Sequence, residues 1–314
     1  MRSNIEMNSP SVLSKMLLLY LKVTNHKNKL DMNWWTSESK AAFPPSKLNN
    51  LFNISSFEEK ERAVWQISSK TNSSKKVVLY LHGGGYSKSF LHFHWKFISK
   101  VVDRTNFTVW APDYPLSNTN SAKEVFEFLI PVYKKLLDEY APEDIIFMGD
   151  SAGGGMSLAF AELLVEKGFE RPSQLILLSP WLDITLSNPQ IDQFEELDLI
   201  LDRKVLQALA TRYTGEFEDT NYLVSPIYGA IKRLPPISVF VGSEEIFLPD
   251  CKKLKVRAES EPMVFNYREF KGMVHNWIFL PIPEADTAFD MIIELLQLEP
   301  SEFEDPVNSG GAFW

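Results

Sequence analysis

Asp144-Ile145-Ile146-Phe147-Met148-Gly149-Asp150-Ser151-Ala152-Gly153-Gly154 is the stretch from which the rest of the chain is best read. A short apolar run leads into a G-x-S-x-G pentapeptide, Gly149 to Gly153, and a helix-period segment over 153–167 follows it. A strand that turns sharply into a helix holds its serine on strained backbone, and flanking glycines remove the Cβ clashes such a turn would create. The hydroxyl then stands above the sheet edge. The N-terminus of the helix and the Ala152 N–H favour negative charge beside it. The plainer alternative is a glycine-rich helix start with Ser151 as an ordinary N-cap; the strand before it and the helix after it weigh the other way.

Similar apolar runs lie on either side of this stretch. Segments 75–81, 107–111, 174–178, 236–241 and 263–270 are short and nearly continuous in apolar residues, and 63–67 is β-branched and aromatic. Runs of that kind are strands covered on both faces, as in a parallel sheet. Helix-period segments over 95–102, 124–140 and 284–296 alternate with them, the second with Pro131 as an expected kink. Strand–helix alternation predicts an α/β protein with a mostly parallel central sheet flanked by helices, and ligands in such sheets gather outside the carboxyl ends of the strands. Residues 1–60 read as helical and irregular, with Leu13, Met16, Leu17, Tyr20 and Leu21 on one amphipathic face. Residues 183–233 hold no strand-like run but a helical stretch over 203–213, and read as an insertion above the sheet. The expected division is a helical cap segment over 1–60, a catalytic domain over 61–298 with the cap insertion at 183–233, and a tail over 299–314.

Three further features stand at strand ends. His82-Gly83-Gly84-Gly85 follows the run 75–81 directly. Three consecutive glycines are entropically costly, and a loop whose N–H groups point at a developing oxyanion explains them better than a turn, which one or two would serve. Gly83 and Gly84, with Ala152, are the expected donors. Of the five histidines, only His275 follows Ser151, and a nucleophile–acid–histidine order leaves it as the base. His92 and His94 stand two residues apart, a spacing that does not bring them together on a helix, so packing rather than a metal is expected of them. The third group, which would orient His275, is sought just past the run 236–241, where Glu244, Glu245 and Asp250 all qualify. Residue chemistry alone does not choose among them.

Taken together, His82–Gly85, Gly149–Gly154, Ser179-Pro180-Trp181-Leu182-Asp183 and Gly272-Met273-Val274-His275 resemble the hormone-sensitive lipase-like esterases of the α/β-hydrolase superfamily, over roughly residues 75–295. The resemblance implies an α/β-hydrolase fold with a helical cap. It implies a carboxylesterase acting on small ester substrates, short- to medium-chain, through an acyl-enzyme, with no cofactor and no metal. The family's acid sits in a D-P-L motif; setting Ile246-Phe247 on Pro-Leu places it at Glu245, one methylene longer than Asp. The family's D-Y-R-L-A-P is replaced here by Asp113-Tyr114-Pro115-Leu116-Ser117, which removes an arginine without touching the triad. A cap of this kind shapes the acyl and alcohol pockets, with Trp34, Trp35, Tyr86, Trp181 and Tyr213 as aromatic candidates for the lining or for packing.

Bulk composition narrows the rest. A chain of 314 residues with 45% apolar and 23% charged residues suits one large globular core. The net charge of −9 disfavours nucleic acid and anionic membrane as partners. It also speaks against lipase action at a membrane surface through the Met16–Leu21 face. That apolar run is too short to span a bilayer, and stable membrane insertion is not expected. Cys251 is the lone cysteine, so no internal disulfide forms and a buried, unreactive thiol is expected. With no secretory signal, a cytoplasmic location follows, and the sequons at Asn53, Asn72 and Asn106 are incidental. The partners expected are a small-molecule ester and a second copy in a homo-oligomer. The rivals to ester cleavage are an amidase or deacetylase with the same triad, and a non-catalytic ligand receptor on the same fold.

Overall fold

The computed structural model describes residues 9–37, 43–71 and 74–303. Eight strands form one sheet: β1 Phe52–Glu59, β2 Arg62–Ser69, β3 Val77–Leu81, β4 Thr108–Pro112, β5 Ile145–Asp150, β6 Gln174–Leu178, β7 Ile237–Gly242 and β8 Phe265–Phe270. Their order is β1-β2-β4-β3-β5-β6-β7-β8. β4 to β8 and β3 pair in parallel, while β1 with β2 and β2 with β4 pair antiparallel.

Period-two side-chain geometry divides the core in two. Val77, Leu79 and Leu81 of β3, with Ile145 and Phe147 of β5, face the cluster that packs helices Ala122–Glu139, Ala152–Glu166 and Leu248–Glu259. Val78, Tyr80, Ile146 and Met148 face the other cluster, with helices His92–Thr105 and Pro283–Gln297. Both faces are therefore covered, which is why these strands read as continuous apolar runs. Ala152–Glu166 is buried all round through Leu164, as befits a helix enclosed by sheet, insertion and neighbours.

The expected strands and helices are present, with ends displaced by a residue or three. Ala122–Glu139 runs on through Pro131. Leu248–Glu259, which the sequence did not suggest, supplies the crossover that the parallel β7–β8 pair requires. The N-terminal expectation needs correction: helices Val12–Val23, His26–Lys29 and Met32–Thr36 do occupy its first part, but Phe52–Glu59 is an edge strand. β1 and β2 form a hairpin in which Glu59 faces Arg62 across Lys60 and Glu61, both at positive φ. That is a two-residue I′ connection, made without the glycine or asparagine that would have marked it.

Between β6 and β7 lies the strand-free stretch, with helices Asp192–Glu195 and Arg203–Thr214. It is tied to the N-terminal segment by Lys27 Nζ, which donates to the Glu195 carbonyl at 2.5 Å.

Candidate active site

β5 ends at Asp150 and the buried helix begins at Ala152, so Ser151 alone makes the turn. Its backbone lies at φ 51°, ψ −121°, a conformation that costs a residue with a Cβ about 1–3 kcal/mol. The surroundings hold it there. Ser151 N–H donates to Leu178 O at 2.8 Å, and Trp181 N–H donates to Ser151 O at 2.9 Å. The glycines are there for close approach: a Cβ on Gly149 would lie 2.4 Å from Gly153 O, and one on Gly153 would lie 2.0 Å from Leu81 O.

Ser151 Oγ stands 2.9 Å from His275 Nε2, and His275 Nδ1 stands 2.9 Å from Glu245 Oε2. All three side chains are buried. Since a carboxylate only accepts, Nδ1 carries the hydrogen, and Nε2 is left to accept the Ser151 proton. The second Glu245 oxygen accepts from Gly242 N–H at 3.0 Å, which fixes the carboxylate's plane. Burial pushes the Glu245 carboxyl up; the hydrogen bond and charge of His275 pull it back, and the Asp198 carboxylate nearby adds to the rise. Of the other two acids considered, Glu244 is half-buried with its N–H on Met273 O, and Asp250 accepts from Asn188 Nδ2 at 2.9 Å.

The three glycine N–H groups of the loop are not equivalent. Gly83 N–H donates to Asp150 Oδ1 at 2.9 Å, so it is not free to meet a substrate oxygen. A Cβ on Gly83 would lie 2.2 Å from Asp150 Oδ2, which explains the first glycine of the three. The N–H groups of Gly84 and Gly85 donate to no acceptor among the described residues. Both residues have positive φ, +115° and +57°, and successive N–H groups on such backbone form an anion-binding concavity. Ala152 N–H, at the first position of its helix, has no intrahelical partner either. His82 braces the loop from below. Its Nδ1–H donates to Gly83 O at 2.7 Å, its ring stacks on Tyr114 at 4.2 Å, and burial foremost lowers its pKa to about 3.

Asp150 is the residue that the sequence reading passed over, although it stands inside the pentapeptide. Its carboxylate is fully buried and accepts from Tyr80 OH at 2.6 Å, Gly83 N–H, and Asn276 Nδ2 at 3.0 Å. His94 Nε2 lies 3.4 Å away, near the carboxylate but not in an aligned hydrogen bond. Burial raises the Asp150 pKa, but His94 and the donors more than offset it, and the group lies below the usual carboxylate range. One side chain thus joins the glycine loop to Asn276, the neighbour of His275. A buried acid at the end of an apolar strand was the available signal, since such a group must be surrounded by donors.

The remaining candidates pack. His92 is exposed, whereas His94 is buried and accepts from Leu91 N–H at 2.9 Å. Tyr86 stacks on Tyr213 with ring centroids 3.5 Å apart, and Trp181 lies 5.4 Å from Tyr86. Trp35 and Leu209 close on Gly85, where a Cβ would meet them at 3.1 and 2.7 Å. Trp34 lies under Lys88 Nζ at 5.0 Å. Asp113 pairs instead with Arg62 of β2 at 3.0 Å. Cys251 is buried, with its thiol pushed up by burial and neighbouring carboxylates.

A family model described as alpha/beta hydrolase fold matches residues 78–279. An esterase of Acinetobacter venetianus is 32% identical over 226 residues, covering 71% of this chain and 75% of its own. An acetyl-hydrolase of Streptomyces hygroscopicus is 27% identical, covering 72% and 77%. Among solved structures, an esterase/lipase from an uncultured bacterium superposes with a TM-score of 0.74 at 25% identity, covering 90% of this chain and 96% of its own. An esterase of the bacterial hormone-sensitive lipase family superposes at 0.78 with 24% identity, covering 92% and 98%. The chain belongs to the alpha/beta-hydrolase family.

Proposed function

We propose that this chain is a serine carboxylesterase with Ser151 as nucleophile, His275 as general base and Glu245 as the group that orients it. The relay Ser151 Oγ–His275 Nε2–His275 Nδ1–Glu245 Oε2, with both gaps at 2.9 Å, carries the reading. His275 takes the hydroxyl proton as Ser151 Oγ attacks the ester carbonyl, and Glu245 stabilises the imidazolium. The oxyanion is held by the N–H groups of Gly84, Gly85 and Ala152, with Gly83 in support. His275 then protonates the departing alcohol, leaving an acyl-enzyme. Water, deprotonated by His275, releases the acid and restores the serine.

The names of the relatives, esterase and acetyl-hydrolase, favour esters over amides. The aromatic packing of Trp35, Tyr86, Trp181 and Tyr213 beside the glycine loop supports a short- to medium-chain acyl group. Residues 9–37 and 183–233 act in this reading as the cap. No helix among the described residues is long and apolar enough to cross a membrane. The lone buried Cys251 agrees with work in a reducing, cytoplasmic setting, and a homo-oligomer is compatible with every feature used. The test is hydrolysis of p-nitrophenyl esters from acetate to dodecanoate by wild type and Ser151→Ala. Turnover that Ser151→Ala abolishes is expected, with an optimum among the shorter acids. A folded wild type inert on every ester would overturn the reading and leave the amidase or the receptor.

A further inference from the structure

The helix Val12–Val23 turns an apolar face to solvent. At 3.6 residues per turn, Val12, Leu13, Met16, Leu19, Tyr20 and Val23 share one side, and they are 51–76% exposed. Six of the eleven exposed large apolar side chains among the described residues stand on this one helix. Its buried side is held by Ser14 and Leu21. The attachment is firm: Ser11 N–H and Ser14 Oγ each donate to Glu284 at 2.5 Å. Pro10 sits so close to Gly272 that a Cβ there would lie 2.2 Å from Pro10 Cγ. A helix fixed along its inner side cannot roll to hide its outer one, and a contiguous apolar stripe of this size marks an interaction surface.

Local charge says what that surface meets. Residues 9–30 carry Lys15, Lys22, Lys27 and Lys29 and neither Asp nor Glu, within a chain whose net charge is −9. On the helical wheel, Lys15 and Lys22 fall together along one border of the apolar side. Their stems let the ammonium groups reach outward while the aliphatic neighbours sink. The overall acidity that spoke against an anionic surface is therefore not carried by this segment, and the Glu284 carboxylate packed against it is buried and capped by Ser11 and Ser14. A helix with an aliphatic stripe, a lysine border and no carboxylate has the composition of one lying in the headgroup plane of an anionic bilayer.

We propose that the outer face of Val12–Val23 is a peripheral docking surface for anionic phospholipid. It is not a membrane span. Its start rests against the loop that leads to His275, so docking places that end of the enzyme at the lipid. The proposal does not depend on the esterase reading.

The experiment is co-sedimentation of the full chain with vesicles of phosphatidylcholine alone and of phosphatidylcholine with phosphatidylglycerol in equal parts. Beside it run Leu13→Glu/Met16→Glu/Leu19→Glu and Lys15→Gln/Lys22→Gln, each checked for folding by circular dichroism. Wild type is expected to sediment with the anionic vesicles, less so as salt rises, and not with the neutral ones. The lysine pair should lose roughly fivefold in partition per lysine, and the apolar triple should lose binding altogether. Wild type left in the supernatant overturns the proposal, as does binding that the triple retains. A wild-type dimer that the triple dissolves, without vesicle binding, would assign the face to a second copy. Vesicle binding seen only after deletion of residues 304–314 would assign it to that segment. Either result overturns the lipid assignment for the full chain.

Discussion

Asp150→Ala tests whether one buried carboxylate holds both halves of the site. The substitution leaves Tyr80 OH, Gly83 N–H and Asn276 Nδ2 without their acceptor and removes the neighbour of His94. Each buried donor left unmet costs about 1–3 kcal/mol, and a hydrogen bond to a charged acceptor is itself worth about 1.5–3 kcal/mol. These figures overlap, because the same desolvation is counted in both, so a loss of about 3–5 kcal/mol is expected from urea unfolding. The catalytic effect runs through Gly83, which precedes the free N–H groups of Gly84 and Gly85. A slackened loop should lower kcat about as much as the loss of one oxyanion donor, ~10²–10³. Asp150→Asn separates the two consequences. It keeps one acceptor for Tyr80 and Gly83, and its new NH₂ can face Asn276 Oδ1, which has no partner among the described residues, once that amide turns round. The Asn variant should therefore keep kcat within about tenfold while losing stability with its charge. Measuring kcat and KM on one p-nitrophenyl ester beside the urea midpoint checks this. A folded Ala variant with wild-type kcat would refute the argument that Asp150 positions the loop.

Glu245→Gln keeps the shape of the acid but presents an amide to His275 Nδ1, 2.9 Å away in the wild type; kcat should fall by about 10³–10⁴, and a loss below tenfold in stopped assays would count against the assigned relay. Asp250 supplies a pH test. Its carboxylate is buried, with Oδ2 unpartnered among the described residues, and burial foremost pushes its pKa from 3.8 to about 6. A group so raised binds its proton more tightly in the folded state, so stability is fullest below the unfolded value and falls as pH climbs to about 6. A rise of that size is worth roughly 3 kcal/mol. Asp250→Asn should flatten urea midpoints between pH 4 and 7 and raise the one at neutrality; a slope equal to wild type would exclude Asp250 as its source.

Much of this architecture was legible because the physics that makes it is local. Strands covered on both faces announce themselves as unbroken apolar runs, and β6 was bounded to the residue. Strand ends and chain order also singled out Ser151 and His275, whose side chains the fold brings to 2.9 Å of each other. What escaped depended on contacts far apart in sequence. The β1–β2 hairpin turns on Lys60 and Glu61, whose side chains do not advertise positive φ. Gly83 and Gly85 are indistinguishable as letters; only the approach of Asp150, 67 residues away, takes one N–H and leaves the other. Glu245 was separated from its neighbours by family alignment, and residue chemistry alone had left three candidates.

Asp198 lies in the strand-free stretch between β6 and β7, yet its carboxylate holds the loop of Glu245. One oxygen accepts from Ile200 and Leu201 N–H at 2.8 and 2.9 Å, and the other accepts from Ile246 N–H at 3.0 Å, directly after Glu245. That stretch is accordingly not a detachable module. A chimera that swapped residues 183–233 for a segment of different build would strand the Ile246 amide unless the graft brought an acceptor to the same point. Exchange of this stretch is thereby restricted to segments that carry this one acid in register.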